Sequence, residues 1–452
     1  MNAPRLDVVD EVPVDPARAR IYAEGWQSWS PATWYPADAT GQRPSEEWQH
    51  TMRFRPGTPI APEGLQGEGL LAIDPGDGSD VRCYATTSPV EIPTITATLV
   101  DRRVIVRSTA AVASSEAADA ETALAAYANA FASRVGSTPS MGEPPPAVWC
   151  SWYRYFEEVT AADVLENLRA IDQHGLEVDV IQVDDGWSPG LGEGLVVADR
   201  FGSLDAVVEE VRATGRRVGI WVAPFLVGAR STLATEHPEW VVGVAGRNWG
   251  DDLVGLDLTH PGVLDLLAQT FTRLVDRGID YFKLDFLYGG AVPGRRREDM
   301  TGVEAYRSGL SLIREVVGRD ALLVGCGAPL LPSVGLVDAM RVSPDTFHEG
   351  GEDGSQGLRG LMPLAARAWQ HGRFWVNDPD CLVARPSYAQ RDRWSEAAKA
   401  FGGLPSFSDR VGDLDDHGLG LVRELLALDR TAEPFPAETV RLGAEVAERE
   451  LR

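Results

Sequence analysis

From about residue 147 onward the chain alternates short continuous apolar runs with stretches of helical period. The runs are AVWCSWY (147–153), VDVIQVDD (178–185), RVGIWVAPF (217–225), DYFKLDF (280–286), LLVGCG (322–327), AMRVSPD (339–345), FWVNDPD (374–380) and FGGLPSFSD (401–409). Between them lie AADVLENLRAIDQHG, LDAVVEEVRATG and VLDLLAQTFTRLVDRG, with apolar residues three and four apart. Continuous apolar strands suit a parallel sheet covered on both faces. Eight strand and helix units over roughly 280 residues have the size and grammar of a (β/α)8 TIM barrel.

The preceding segment has a different pattern. VRCYATT, EIPTITATLV and DRRVIVRST are β-rich and are broken by turn formers such as PGDGSD, which predicts a β-sandwich. An Ala-rich stretch (111–133) reads as helical, and GSTPSMGEPPPA (136–147) has linker composition. The expected units are therefore a β-rich domain with linker over 1–143, a catalytic barrel over 144–430 and a short helical end over 431–452.

Polar residues collect where barrel enzymes keep their chemistry, at the carboxyl ends of the strands. Trp152, Asp184, Asp185, Trp221, Asp285, Cys326, Asp345, Asp378 and Asp380 all fall there. Single carboxylates at such places are commonly caps or turn formers. Six from four strand ends are harder to explain in that way.

Charge and composition narrow the class. The 452 residues carry 42 Lys+Arg against 67 Asp+Glu, a net charge of −25, which disfavours nucleic acid and anionic membrane surfaces as partners. The first residues lack the basic start and apolar core of a signal peptide, and no run of about 18 apolar residues marks a membrane span. A cytoplasmic location is expected, and homo-oligomerisation is left open. Four scattered cysteines and seven histidines form no cluster with metal-ligand spacing, so neither metal nor cofactor is expected.

Only two of the 42 cations are lysines, Lys283 and Lys399. Lys283 shares a strand face with Tyr281 and Asp285, opposite Phe282, Leu284 and Phe286. A buried ion pair would account for that arrangement alone. With the neighbouring rim carboxylates, however, it suits glycosidic bond cleavage, in which one carboxylate attacks the anomeric carbon and another protonates the leaving oxygen. Asp285 fits the nucleophile, with Lys283 favouring its charged form. Asp345 fits the acid, its proton affinity raised by burial, with Arg341 four residues earlier placed to orient it or reach the substrate.

DDGW (184–187), KLD (283–285), RVSPD (341–345), NDPD (377–380) and GWQSWSP (25–31) together resemble the α-galactosidases of glycoside hydrolase family 36, in the short form with a β-sandwich before the barrel. The resemblance runs from about residue 25 to 425. It implies a retaining exo-α-galactosidase acting on terminal α-linked galactose of oligosaccharides, with Asp285 as nucleophile and Asp345 as acid/base. Asp184, Asp185, Lys283 and Arg341 would hold the sugar, Trp152 and Trp221 would wall it, and Cys326 would lie near its 2-position. GCGAPLLP (325–332) departs from the family's Cys-x-Gly-Gly run, so reading of the 2-position stays open, as does α-N-acetylgalactosaminidase activity on account of the small Gly327 and Ala328. A raffinose-synthase-like galactosyltransferase, a Schiff-base aldolase using the barrel lysine, and an inactive sugar-binding barrel are the other readings. Cys326 and Cys381 also suit small buried hydrophobes, His260 and His348 suit structural roles, and Trp26 and Trp29 suit either packing or closure of the pocket.

Overall fold

The computed structural model describes residues 5–41, 47–136, 144–248, 250–347, 358–429 and 431–451. His348 and most of the expected linker lie outside them.

Eight parallel strands form the barrel: Val148–Cys150, Val180–Val183, Arg217–Val222, Tyr281–Leu284, Leu322–Gly325, Ala339–Arg341, Val376–Asp378 and Ser406–Phe407. Neighbours in sequence are neighbours in the sheet, and the eighth strand pairs with the first. The seventh and eighth close the ring through Leu404 N–H donating to Asn377 O (3.0 Å) and Leu382 N–H donating to Ser406 O (2.8 Å). Each predicted run contributes one strand.

Strand parity sorts the barrel interior into layers. Val148, Val180, Tyr281, Val324, Ala339 and Val376 form one buried apolar cluster. Gly219 faces the Tyr281 ring, where a Cβ would sit 2.9 Å from it. Two residues further along the strands the layer turns polar: Cys150, Gln182, Lys283, Arg341 and Asp378 are all buried. The apolar layer excludes water beneath these groups, so they must satisfy one another or face the barrel mouth.

The N-terminal part comprises two antiparallel sheets. One orders Asp7–Pro13, Arg103–Ser108, Thr94–Val100 and Leu65–Glu68. The other orders Thr33–Pro36, Arg20–Ala23, Leu70–Asp74, Val81–Ala85 and Ala113–Ala117. Ile21, Leu71, Ile73, Ile95, Val104 and Val106 fill the core between them. Residues 113–117 were expected to be helical and instead form an edge strand. The helix, Ala120–Val135, begins only where the Asp119 carboxylate accepts the Thr122 N–H (2.7 Å).

The GWQSW segment docks this domain on the barrel. Arg367, fully buried, donates from Nε (3.0 Å) and Nη2 (2.8 Å) to Glu24 Oε1 and also caps the carbonyls of Ser28, Ser30 and Val342. Glu24 Oε2 accepts from Tyr22 and Gln370. Every part of that buried charge pair is therefore met by a hydrogen bond, which such a pair requires. Ser28 N–H donates to Ala328 O (3.1 Å), and Leu330 N–H to Trp26 O (3.0 Å), so the segment lies along the loop after the fifth barrel strand.

A three-stranded antiparallel sheet that the sequence reading did not foresee, Leu226–Gly228, Val241–Asn248 and Asp251–Leu256, follows the third barrel strand. The helix Ala437–Leu451 packs on Leu361–Ala366, and Gly443 permits the approach, since a Cβ there would lie 2.3 Å from Ala365 O. No described helix is long and apolar enough to cross a membrane.

Candidate active site

A cavity of about 300 Å³ opens at the carboxyl ends of the strands. Trp152, Asp184, Asp185, Trp221, Lys283, Asp285 and Asp345 line it, which brings together residues from the first, second, third, fourth and sixth strand ends. Of the predicted site residues, Cys326 and Arg341 do not reach it and are almost fully buried behind the wall.

Asp285 lies just past the fourth strand, and both of its oxygens are held. Trp221 Nε1 donates to Oδ2 (3.0 Å) and Phe286 N–H to Oδ1 (2.7 Å). Phe286 takes a left-handed backbone (φ 50°), an uncommon conformation for an aromatic residue, and so turns the chain sharply after the carboxylate. Burial raises the Asp285 carboxyl above its usual range; Lys283 opposes that shift, and the Asp345 charge adds to it.

Lys283 was expected to pair with Asp285, but its ammonium donates to Asp184 Oδ2 at 2.9 Å. Its field still lowers the proton affinity of Asp285. Burial alone would depress the lysine, yet Asp184, together with Cys150, Cys326 and Asp285, more than compensates and holds it well above its ordinary value. Asp184 also receives Gln182 Nε2 (2.6 Å) and Cys150 Sγ (3.3 Å) on Oδ2 and Asp185 N–H (3.0 Å) on Oδ1. Lysine and aspartate thus form a fixed dipole in the floor.

Asp185 is 8% exposed, and only the Gly186 N–H (2.8 Å) reaches its carboxylate among the described residues. Burial, partly offset by that N–H and reinforced by Asp184, raises its pKa from 3.8 to about 7. An acid raised on folding stabilises the protein below its unfolded pKa, and that contribution is lost as pH rises through the folded value. Asp185→Asn should therefore melt progressively higher than the parent from about pH 4 to pH 7 and hold a constant lead above, worth roughly 4 kcal/mol. Melting curves across that range check this; a lead independent of pH would show that Asp185 is not charged at a cost.

Asp345 was expected to be buried, but its side chain is 43% exposed, with Oδ1 accepting from Arg341 Nη2 at 3.1 Å. The loop after the sixth strand turns this carboxylate out toward the cavity and leaves Arg341 beneath it. Arg341 also pairs with Asp380 Oδ2 (3.2 Å), which accepts from Thr346 N–H (2.7 Å), Thr346 Oγ1 (3.0 Å) and the Tyr153 hydroxyl. Asp378 stands deeper. Burial, countered by Arg341, raises it to about 6.

Sequence reasoning missed Met52, Arg53, Asn248, Phe286 and Phe347, which also line the cavity. Trp29 lines it too, its ring edge-on to Phe286 (5.4 Å), whereas Trp26 is buried beneath the Arg55 guanidinium. The alternatives left open for that pair therefore divide between them. Cys381 is buried, as expected of a small hydrophobe, and His260 caps the helix Pro261–Asp276.

Residues 123–314 match the melibiase family, a stretch that holds Asp184, Asp185, Lys283 and Asp285. That match covers less than half of the chain. Its structure is similar to that of an α-galactosidase from Thermus thermophilus solved with p-nitrophenyl α-D-galactopyranoside. The TM-score is 0.78 at 27% identity, covering 95% of this chain and 92% of that one. A family 36 α-galactosidase from Geobacillus stearothermophilus shares the fold at a TM-score of 0.61 and 15% identity, covering 92% of this chain and 61% of that one. In sequence, the chain is similar to the bifunctional α-galactosidase/sucrose kinase of Mediterraneibacter gnavus, 26% identical over 170 residues. That match covers 35% of this chain and 18% of the relative. A probable α-galactosidase C of Aspergillus flavus is 31% identical over 165 residues, covering 31% and 21%. The matched stretches thus span about a fifth of these curated relatives.

Proposed function

We propose that the chain is a retaining exo-α-galactosidase that removes terminal α-linked galactose from oligosaccharides by double displacement. The observation that carries this reading is one cavity lined by Asp285 and Asp345 together with the Asp184 and Lys283 pair. In the first step an Asp285 oxygen bonds to the anomeric carbon as the glycosidic bond breaks, and Asp345 gives its proton to the leaving oxygen. Asp345 is then a carboxylate facing the Arg341 guanidinium. In the second step it takes a proton from water, which attacks the same carbon and frees Asp285. Asp184, Asp185 and Lys283 hold ring hydroxyls, while Trp152 and Trp221 cover the apolar face of the sugar.

The other readings have less support. The carbon that would grow from Gly327 (φ 51°) meets the Trp29 ring at 3.0 Å, and Ala328 is buried against the GWQSW segment, so their small size serves packing rather than an acetamido group. A lysine held protonated by Asp184 is a poor Schiff-base nucleophile, which argues against an aldolase. The presence of both carboxylates argues against an inactive barrel. Four free, buried cysteines fit a reducing, cytoplasmic compartment, and units of 1–143, 144–430 and 431–452 remain our division of the chain.

Release of nitrophenol from its α-galactoside, α-N-acetylgalactosaminide, α-glucoside and β-galactoside tests the substrate. The α-galactoside should be preferred, and a preference for any of the others would overturn the assignment. Proton NMR of the first-formed sugar should show α-galactose, the outcome of a double displacement, whose nucleophile and acid generally stand about 5 Å apart with no room for an intervening water. β-Galactose appearing first would rule out the double displacement.

A further inference from the structure

The loop that carries Asp345 is tied on both sides to the loop after the seventh strand. Ser343 Oγ, two residues before the proposed acid, donates to Pro379 O (3.0 Å). Thr346, the residue after it, sends both its N–H (2.7 Å) and its hydroxyl (3.0 Å) to Asp380 Oδ2. Arg341 Nη2, which holds Asp345 Oδ1 at 3.1 Å, stands 3.2 Å from that same Asp380 oxygen, and the Tyr153 hydroxyl also donates to it. One buried oxygen thus gathers the chain neighbour and the side-chain partner of Asp345, although Asp380 does not itself line the cavity. Asp380 keeps a left-handed backbone (φ 81°), a conformation that persists where the surroundings impose it and that collects beside active sites. Charge points the same way. An acid that gives and regains a proton in each turnover changes the charge beside Arg341 twice, and a buried guanidinium paired with Asp345 alone would lose its counter-charge each time. Burial works against the Arg341 charge, and among the groups that uphold it Asp380 comes first, ahead of Cys326 and Asp345.

We propose that Asp380 is a positioning residue, which fixes the Asp345 loop at the height the leaving oxygen requires and keeps Arg341 paired whether Asp345 is protonated or not. The inference rests on the α-galactosidase reading above, with Asp345 as its acid.

The probes are melibiose, whose glucose must be protonated to leave, and α-galactosyl fluoride, whose fluoride leaves without a proton from the acid. For both, kcat/KM reports the steps up to cleavage of that bond. Asp380→Asn keeps the shape and loses the charge; its kcat/KM on melibiose should fall about tenfold or more beyond its fall on the fluoride, with a thermal melt to establish folding. Thr346→Val, which takes one hydroxyl out of the cluster, should show the same preference to a smaller extent, and Thr346→Ser should bring back the parent ratio. Equal losses on the two substrates in Asp380→Asn would mark a merely structural residue and overturn the proposal. Should that variant fail to fold, the threonine pair decides, and valine indistinguishable from serine overturns it. Asp345→Ala is the reference: unless it too loses far more on melibiose than on the fluoride, Asp345 is not the acid, and it is the functional reading that falls.

Discussion

Asp285→Ala should lower kcat/KM on an aryl α-galactoside by on the order of 10⁴-fold or more, and added azide should restore part of the turnover as β-galactosyl azide. The carboxylate is fixed at both oxygens, by Trp221 and by the Phe286 N–H, and no other carboxylate shares those donors. Its removal takes away the group proposed to form the glycosyl intermediate and leaves a space of the same shape. A small anion can fill that space and attack the same face of the sugar, which yields the β-configured product. Asp345, the proposed acid, is untouched, with Arg341 still beneath it. The measurements are steady-state rates with and without azide, NMR of the product, and a thermal melt to establish folding. Parent-like activity in a folded Asp285→Ala protein would exclude it as nucleophile.

Lys283→Arg should be nearly as damaging as Lys283→Met, although it keeps the charge. The ammonium bonds to a carboxylate that already accepts from Gln182, Cys150 and the Asp185 backbone, in a layer with the buried Tyr281 ring below. A planar guanidinium is larger and aims its donors in one plane, so it would overfill this floor and displace Asp184. Methionine would leave Asp184 charged, buried and unpaired. Methionine also removes the field that favours ionised Asp285, and in either variant the proposed ammonium donor to the sugar is lost. A loss of about 3 kcal/mol in transition-state stabilisation, on the order of a hundredfold in kcat/KM, is expected for both. If the arginine variant folds normally and keeps activity within a few-fold, only the charge at this position matters.

What the sequence disclosed follows from what side-chain periodicity encodes. The eight barrel strands were legible because a strand covered on both faces must be apolar throughout, and the carboxylates stood out by interrupting those runs at one end. Parity also placed Tyr281, Lys283 and Asp285 on one face. Parity gives a face, however, and not a depth: Cys326 and Arg341 lie behind the cavity wall, while Asp345 turns outward on its loop. The partner of Lys283 was hidden for another reason. Asp184 is 99 residues away in sequence, whereas Asp285 is two, and local spacing favours the nearer. Met52, Arg53 and Asn248 come from elements whose approach to the barrel depends on packing, and no local pattern marks them. Residues 113–117 were misread because alanine content suggested a helix, whereas pairing with Val81–Ala85 makes them a strand.

The Arg367 and Glu24 pair lies where Tyr22, Trp34 and Leu70 of the sheets share one apolar core with Trp369 and the barrel. An isolated barrel would carry an arginine whose carboxylate and two of whose carbonyl partners, from Ser28 and Ser30, had been left behind on another polypeptide. The sheets and the barrel are therefore expected to melt as one cooperative unit. Trp29, held in the segment that this arginine grips, belongs to the active site for as long as the whole chain is folded.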